Sequence, residues 1–189
     1  MAPRGDVIVT VRDLLNRLEA EGPLLDWTRL GWWNRRALAR GLRNLEHVLE
    51  ERPDDLNALY LSGIALRRLH RIPEALERLA AVHAACPDDT QVAWEVGWAA
   101  VEADDVRFAL AIVRSVQNDT RRDPDLAYLE GIGLLISGEI GPAREAFSSS
   151  SELGFDPAFA EAMVSLCDSI TAGRSRPPRS VRDLFRPGE

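Results

Sequence analysis

Residues 93–98 read Ala93-Trp94-Glu95-Val96-Gly97-Trp98, and the chain repeats their pattern on either side at a fixed distance. Thirty-four residues earlier stands Leu59-Tyr60-Leu61-Ser62-Gly63-Ile64, and 34 later stands Ala127-Tyr128-Leu129-Glu130-Gly131-Ile132. An aromatic, a glycine and a large apolar residue thus recur in register three times. The register holds further on: Ala75, Ala109 and Ala143 share the spacing, as do Leu79, Val113 and Phe147. A fixed period of this length is the signature of a stacked repeat architecture. Each unit divides into two helical stretches, separated by the turn signals Arg71-Ile72-Pro73, Asp104-Asp105 and Gly138-Glu139-Ile140-Gly141-Pro142. Glycine inside a helix costs about 0.5–1 kcal/mol, so its return at one helical position points to a packing reason. The three glycines on first helices and the three alanines on second helices allow the paired axes to approach closely.

A 34-residue unit of two helices resembles the tetratricopeptide repeat (TPR), whose pattern runs W-x2-L-G-x2-Y, then A-x3-F, then P. The residues that carry the resemblance are Leu59-x2-Ser62-Gly63-x2-Leu66, Ala75-x3-Leu79 and Pro87 in the first unit. They are Ala93-x2-Val96-Gly97-x2-Ala100 and Ala109-x3-Val113 in the second, and Ala127-x2-Glu130-Gly131-x2-Leu134 and Ala143-x3-Phe147 in the third. The Trp position holds Leu59, Ala93 and Ala127, and the Tyr position holds Leu66, Ala100 and Leu134, which thins the interior but keeps it apolar. The resemblance implies an all-α, right-handed helical solenoid of about three repeats with degenerate capping helices.

The expected organisation follows the register. Residues 1–52 are N-terminal helices with an eroded repeat, in which Gly41 falls 34 before Ala75 and Trp32 falls at the Tyr position. Residues 53–156 hold the three units, about 53–86, 87–120 and 124–156. Residues 157–172 form a capping helix with Phe159, Ala162, Met163, Leu166 and Ile170 on a face, as an end unit requires. Residues 173–189, rich in Pro and Arg, read as a flexible tail, because prolines oppose a packed helix. Within it Val181-Arg182-Asp183-Leu184-Phe185 echoes Val11-Arg12-Asp13-Leu14-Leu15. Two readings of the echo are open: coincidence, or two copies of one docking segment.

Charge narrows the partners. The 189 residues carry 23 basic and 30 acidic side chains, net −7. All the basic residues are arginine, which excludes lysine chemistry such as a Schiff base or a P-loop. Residues 53–156 hold 9 Arg against 18 acids, so like charge disfavours a nucleic-acid backbone. No apolar run approaches the length of a membrane span, and the start is too soon charged for a secretory signal. A cytoplasmic protein, with no nucleic-acid or membrane partner, is expected. Cys86 and Cys167 are too few for a disulfide framework.

No catalytic, cofactor or metal constellation emerges. His47, His70 and His83 have no second His or Cys at metal-ligand spacing beyond the lone His83–Cys86 pair. Gly131-Ile132-Gly133 lacks the third Gly and the preceding strand of a dinucleotide loop. Ser148 to Ser151 has no nucleophile-elbow context. The protein is read as no enzyme.

The binding expectation comes from the first helices. Tyr60 with Ile64, Trp94 with Trp98, and Tyr128 with Ile132 are each four apart and share a helix face. In TPR proteins these positions resemble the groove-lining ones, so a concave apolar and aromatic strip is expected. Asn57, Gln91 and Asp125, with Arg67 and Arg68, would form its edge. Aromatic and aliphatic residues at these positions disfavour a clamp for chaperone-tail carboxylates. The function expected is protein–protein interaction, with a protein or peptide in the groove. The alternatives are a self-assembling scaffold that forms homo-oligomers, or a chaperone similar to the TPR chaperones of type III secretion. The strip could instead be covered by the protein's own helices, its tail or a second copy. Trp27, Trp32 and Trp33 read as core of the eroded repeat or as an interface.

Overall fold

The computed structural model describes residues 4–20, 31–116 and 123–184. These residues form helices and turns, with no strand among them. In chain order the helices are α1 (Arg4–Ala20), α2 (Trp32–Glu51), α3 (Leu56–Arg68), α4 (Ile72–Ala85) and α5 (Thr90–Glu102). They continue with α6 (Val106–Val116), α7 (Pro124–Ile136), α8 (Ile140–Leu153), α9 (Pro157–Thr171) and α10 (Val181–Leu184). The chain divides into two compact units, Met1–Ala85 and Cys86–Glu189.

The repeat is written into the helix boundaries. The first helices α3, α5 and α7 each follow an Asp N-cap. Asp55 accepts from the N–H of Ala58, Asp89 from Gln91 and Val92, and Asp123 from Asp125 and Leu126. Such a cap satisfies donors that the first turn leaves orphaned, worth about 1 kcal/mol each. The turns between paired helices also repeat. His70, Asp104 and Gly138, each 34 apart, have φ of 61°, 60° and 82°. The next residue's N–H then bonds back to the carbonyl of Leu66, Ala100 and Leu134, each at 2.9 Å. This is the left-handed helix stop that satisfies the last carbonyls. It places the left-handed residue at one fixed point of the unit, whatever its side chain.

In the first unit α3 and α4 pair as a hairpin, α2 packs on α3, and α1 packs on both α2 and α3. A Cβ on Gly63 would lie 2.7 Å from Leu79 Cγ, and one on Gly41 would lie 3.0 Å from Val11 Cγ2. Gly41 is therefore small because α1 crosses α2 there. The eroded repeat is built differently from expectation, however. Among its described residues the helix is α2, and Val11 of α1 supplies the partner at Gly41. Trp32, placed by register among interior positions, is 61% exposed at the start of α2, and Trp33 is 77% exposed. Trp27 lies outside the described residues.

In the second unit α5–α6 and α7–α8 are hairpins, α6 packs on α7, α5 on α7, and α8 on α9. A Cβ on Gly131 would meet the Phe147 ring at 2.6 Å. Gly97 departs from the pattern. Its equivalent neighbour Val113 is smaller than Leu79 or Phe147 and stands 3.8 Å away, and Leu129 Cδ2 of the following hairpin fills the space at 2.5 Å. Gly133 carries a packing role that its sequence context did not announce, since its Cβ would lie 2.8 Å from Leu110 Cδ2 on α6.

The tail also differs from expectation. Residues 174–184 are ordered onto the second unit: α10 packs against α5, and Val181 is 7% exposed. Asp183 caps this turn, accepting from the N–H groups of Arg179 and Ser180 at 2.9 and 3.1 Å. Ser169 and Ser175 pair through their hydroxyls at 2.8 Å. The prolines that oppose a long helix leave room for a single capped turn. Residues 185–189 lie outside the described residues.

Candidate interaction surface

The six residues expected to line the strip occupy two kinds of place. Tyr60 and Trp94 are partly exposed. Ile64, Trp98, Tyr128 and Ile132 lie in the interior rather than along an open strip, at 5%, 1%, 0% and 0% exposure. The edge residues Asn57, Gln91 and Asp125 are exposed. Arg67 and Arg68, expected at the edge, are buried. A buried guanidinium is held only where polar partners replace its hydration.

In the first unit Arg12 of α1 donates to Asn57 Oδ1 at 3.5 Å, a bond between α1 and an edge position of α3. In the second unit Trp94 meets Trp98 edge to face, with ring centroids 5.5 Å apart. Trp98 Nε1 and the Tyr128 hydroxyl are buried without a hydrogen-bond partner. Tyr128 stacks on Phe155 at 4.2 Å and leans on Phe147 at 5.3 Å. Burial drives its hydroxyl pKa far above the phenol value, so this group is a neutral donor at any physiological pH. Asp125 at the rim is pushed up from its usual carboxylate range by desolvation and by neighbouring Asp123.

The cysteines and histidines form no reactive cluster. Cys167 is buried and its thiol is pushed up, chiefly by burial, which keeps it protonated and inert. Burial lowers the pKa of His83. Among the described residues no group of three or more His, Cys, Asp or Glu side chains could hold a metal ion. No helix among them is long and apolar enough to cross a membrane. The two echoed segments are each anchored by a buried valine, Val11 at 2% and Val181 at 7% exposure. Their settings differ: Val11 belongs to a 17-residue helix, Val181 to a single turn.

The tryptophans of the eroded repeat, open between core and interface in the sequence, form a second surface feature. Trp32 and Trp33 meet edge to face at 4.5 Å, and the Arg36 guanidinium sits 5.4 Å from the Trp32 ring centre. Two exposed tryptophans side by side are unusual on a surface with no partner.

No protein-family model and no curated protein matches the sequence. Solved structures do. MamA from Desulfovibrio magneticus RS-1 superposes with a TM-score of 0.66 at 18% identity, covering 91% of this chain and 89% of its own. TTC0263, a thermophilic TPR protein from Thermus thermophilus, gives 0.66 at 16% identity, covering 91% and 84%. YrrB, described as a TPR protein with an unusual peptide-binding site, gives 0.59 at 19% identity over 75% and 72%. With the 34-residue register, the paired helices and the small residues where they cross, these likenesses show that the chain has the all-α helical-solenoid fold of TPR proteins.

Proposed function

We propose that the protein is a non-catalytic interaction module that binds a peptide or short helix of a partner protein on the α5 face of its second unit. The observation that carries this reading is the Trp94–Trp98 pair on α5. Trp94 keeps part of its ring in solvent, while Trp98 beneath it holds an indole N–H with no partner. An amphipathic aromatic at a partly open site is the residue type that dominates binding energy. The peptide-binding site of YrrB, a protein of the same fold, supports the same use of the scaffold. The acidic balance of residues 53–156 favours a neutral or basic ligand. The unpaired thiols Cys86 and Cys167 suit a reducing compartment such as the cytoplasm.

Panning a displayed peptide library against the protein tests the reading. Selected peptides should lose about thirtyfold in affinity on Trp94→Ala, since a central aromatic anchor is worth about 2 kcal/mol. Glu145→Ala, on the exposed side of α8, should leave their affinity unchanged. Failure to select any peptide, or equal affinity for the Trp94→Ala variant, would count against the α5 face.

The exposed Trp32–Trp33 pair favours a second reading, a scaffold that associates with itself through the start of α2. Light-scattering mass measured over a concentration series checks it. A mass that grows in the wild type but not in Trp33→Ser supports it, and a constant monomer mass in both rejects it.

A further inference from the structure

We propose that the C-terminal segment Arg174–Leu184 is a removable plug on α5, and that its own chemistry states the ligand class of that surface: an arginine-rich segment closing in one Val-x-x-Leu helical turn. The inference rests on the binding role proposed for the α5 face. Besides α6 and α7, the described element packed on α5 in this unit is α10. Its Val181 is buried, whereas Arg182 and Asp183 are exposed. A single turn thus inserts one aliphatic anchor and keeps its charges in water, as helix-in-groove recognition does. The same α5 carries Trp98, which is 1% exposed although it occupies a face position that TPR resemblance assigns to an open groove. In this proposal the cover is α10, the element on α5 outside the paired helices.

Charge favours the same pairing. Residues 174–184 hold four arginines and one acid, and residues 87–156 hold 14 acids against 5 arginines. A basic strand therefore lies on an acidic body, an arrangement that draws such segments in and weakens with salt. The tail leaves space on its α9 side. Between α9 and the tail a cleft of about 630 Å³ opens beside Leu166, with Pro177, Pro178 and Leu184 on its wall. A four-residue helix that buries chiefly one valine is a small anchor beside the tether and the Ser169–Ser175 bond that carry it. A tether raises local concentration to the order of millimolar. A free segment of the same class therefore competes for the seat when it carries more anchors than the tail does.

The test uses the full chain with Val181→Asp, labelled with 5-fluorotryptophan, and the synthetic peptide of residues 174–184 added in trans. The Trp98 resonance is assigned by Trp98→Phe. We expect Val181→Asp to keep wild-type helical circular dichroism while the Trp98 resonance moves and gains a solvent isotope shift. Wild-type peptide at millimolar concentration should return the resonance toward its original position, less so at high salt. The same peptide with Asp at position 181 should not. An unmoved Trp98 resonance shows that the tail does not cover that face. A resonance that moves but is not restored by the peptide shows a fixed part of the cap rather than a plug. Unfolding of the Val181→Asp chain overturns the proposal too, because a plug comes out without loss of the fold. Failure of the broader binding role reads differently: the plug exchanges as expected, yet Trp94→Ala leaves selected peptides bound.

Discussion

Gly131→Ala adds one methyl group, and the structure decides the sign of its effect. The new Cβ would lie 2.6, 2.7 and 2.9 Å from three ring atoms of Phe147. That ring has no exposed surface, and Tyr128 stands 5.3 Å from it, so it cannot swing clear. Overpacking of this kind costs about 1–3 kcal/mol. Against it stands the gain of up to about 1 kcal/mol for replacing Gly by Ala inside a helix. The balance is a loss of about 1–2 kcal/mol, or a fall of about 2–8 °C in Tm for a chain of this size. Gly141→Ala is the matched control. It sits in the first turn of α8, where a Cβ would meet nothing within 4 Å apart from its chain neighbours. The propensity gain is there set against the clash of a new Cβ with the following Pro142, so Tm should change by no more than about 2 °C. Thermal melts followed by circular dichroism in the far ultraviolet, with urea titrations alongside, measure both. If Gly131→Ala lowers Tm no more than Gly141→Ala does, the recurring glycine is not a packing device.

His70→Gly should stabilise the protein by about 0.5–1 kcal/mol, because His70 holds a φ of 61° that glycine adopts freely; urea midpoints check it, and an unchanged or lower midpoint refutes it. Asp89→Ala should cost about 1 kcal/mol by uncapping α5, whereas Asp88→Ala, one residue earlier, should cost little. Burial depresses the His83 pKa below its ordinary 6.5. The unfolded chain then takes up the proton first, so this contribution to stability is present above pH 6.5 and is lost as pH falls through the folded value. His83→Gln should flatten that part of the stability–pH curve, and an identical slope in both proteins argues against a role for His83.

Local chemistry made most of the fold legible. Gly63, Gly97 and Gly131 mark helix crossings because only hydrogen fits between the axes, and that constraint stands in the sequence as an interval. Asp55 and Asp89 stand at helix starts for a reason equally local. What could not be read is whatever depends on distant chain. The face shared by Trp94 and Trp98 was visible as a helical spacing, yet α5 also meets α10, some 80 residues onward, in a segment whose prolines argued for a free tail. Trp32 and Trp33 carry the composition of a core and the position of a surface, because their side is set by what packs at the start of α2 and not by register alone. His70 and Asp104 hide the repeated turn, since neither announces a left-handed backbone as plainly as the Gly138 that stands in register with them.

The methyl of Leu129 that occupies the hollow beside Gly97 has a statistical-mechanical meaning. A solenoid is close to a one-dimensional lattice, in which each hairpin has its own stability and a coupling to the next. A side chain of one hairpin that serves as core of the previous one moves free energy from the site to the coupling. The α5–α6 and α7–α8 hairpins should then exchange their amide hydrogens at one common rate, as a single opening event. Trimming Leu129 to Ala should separate that event into two, with α5–α6 opening first.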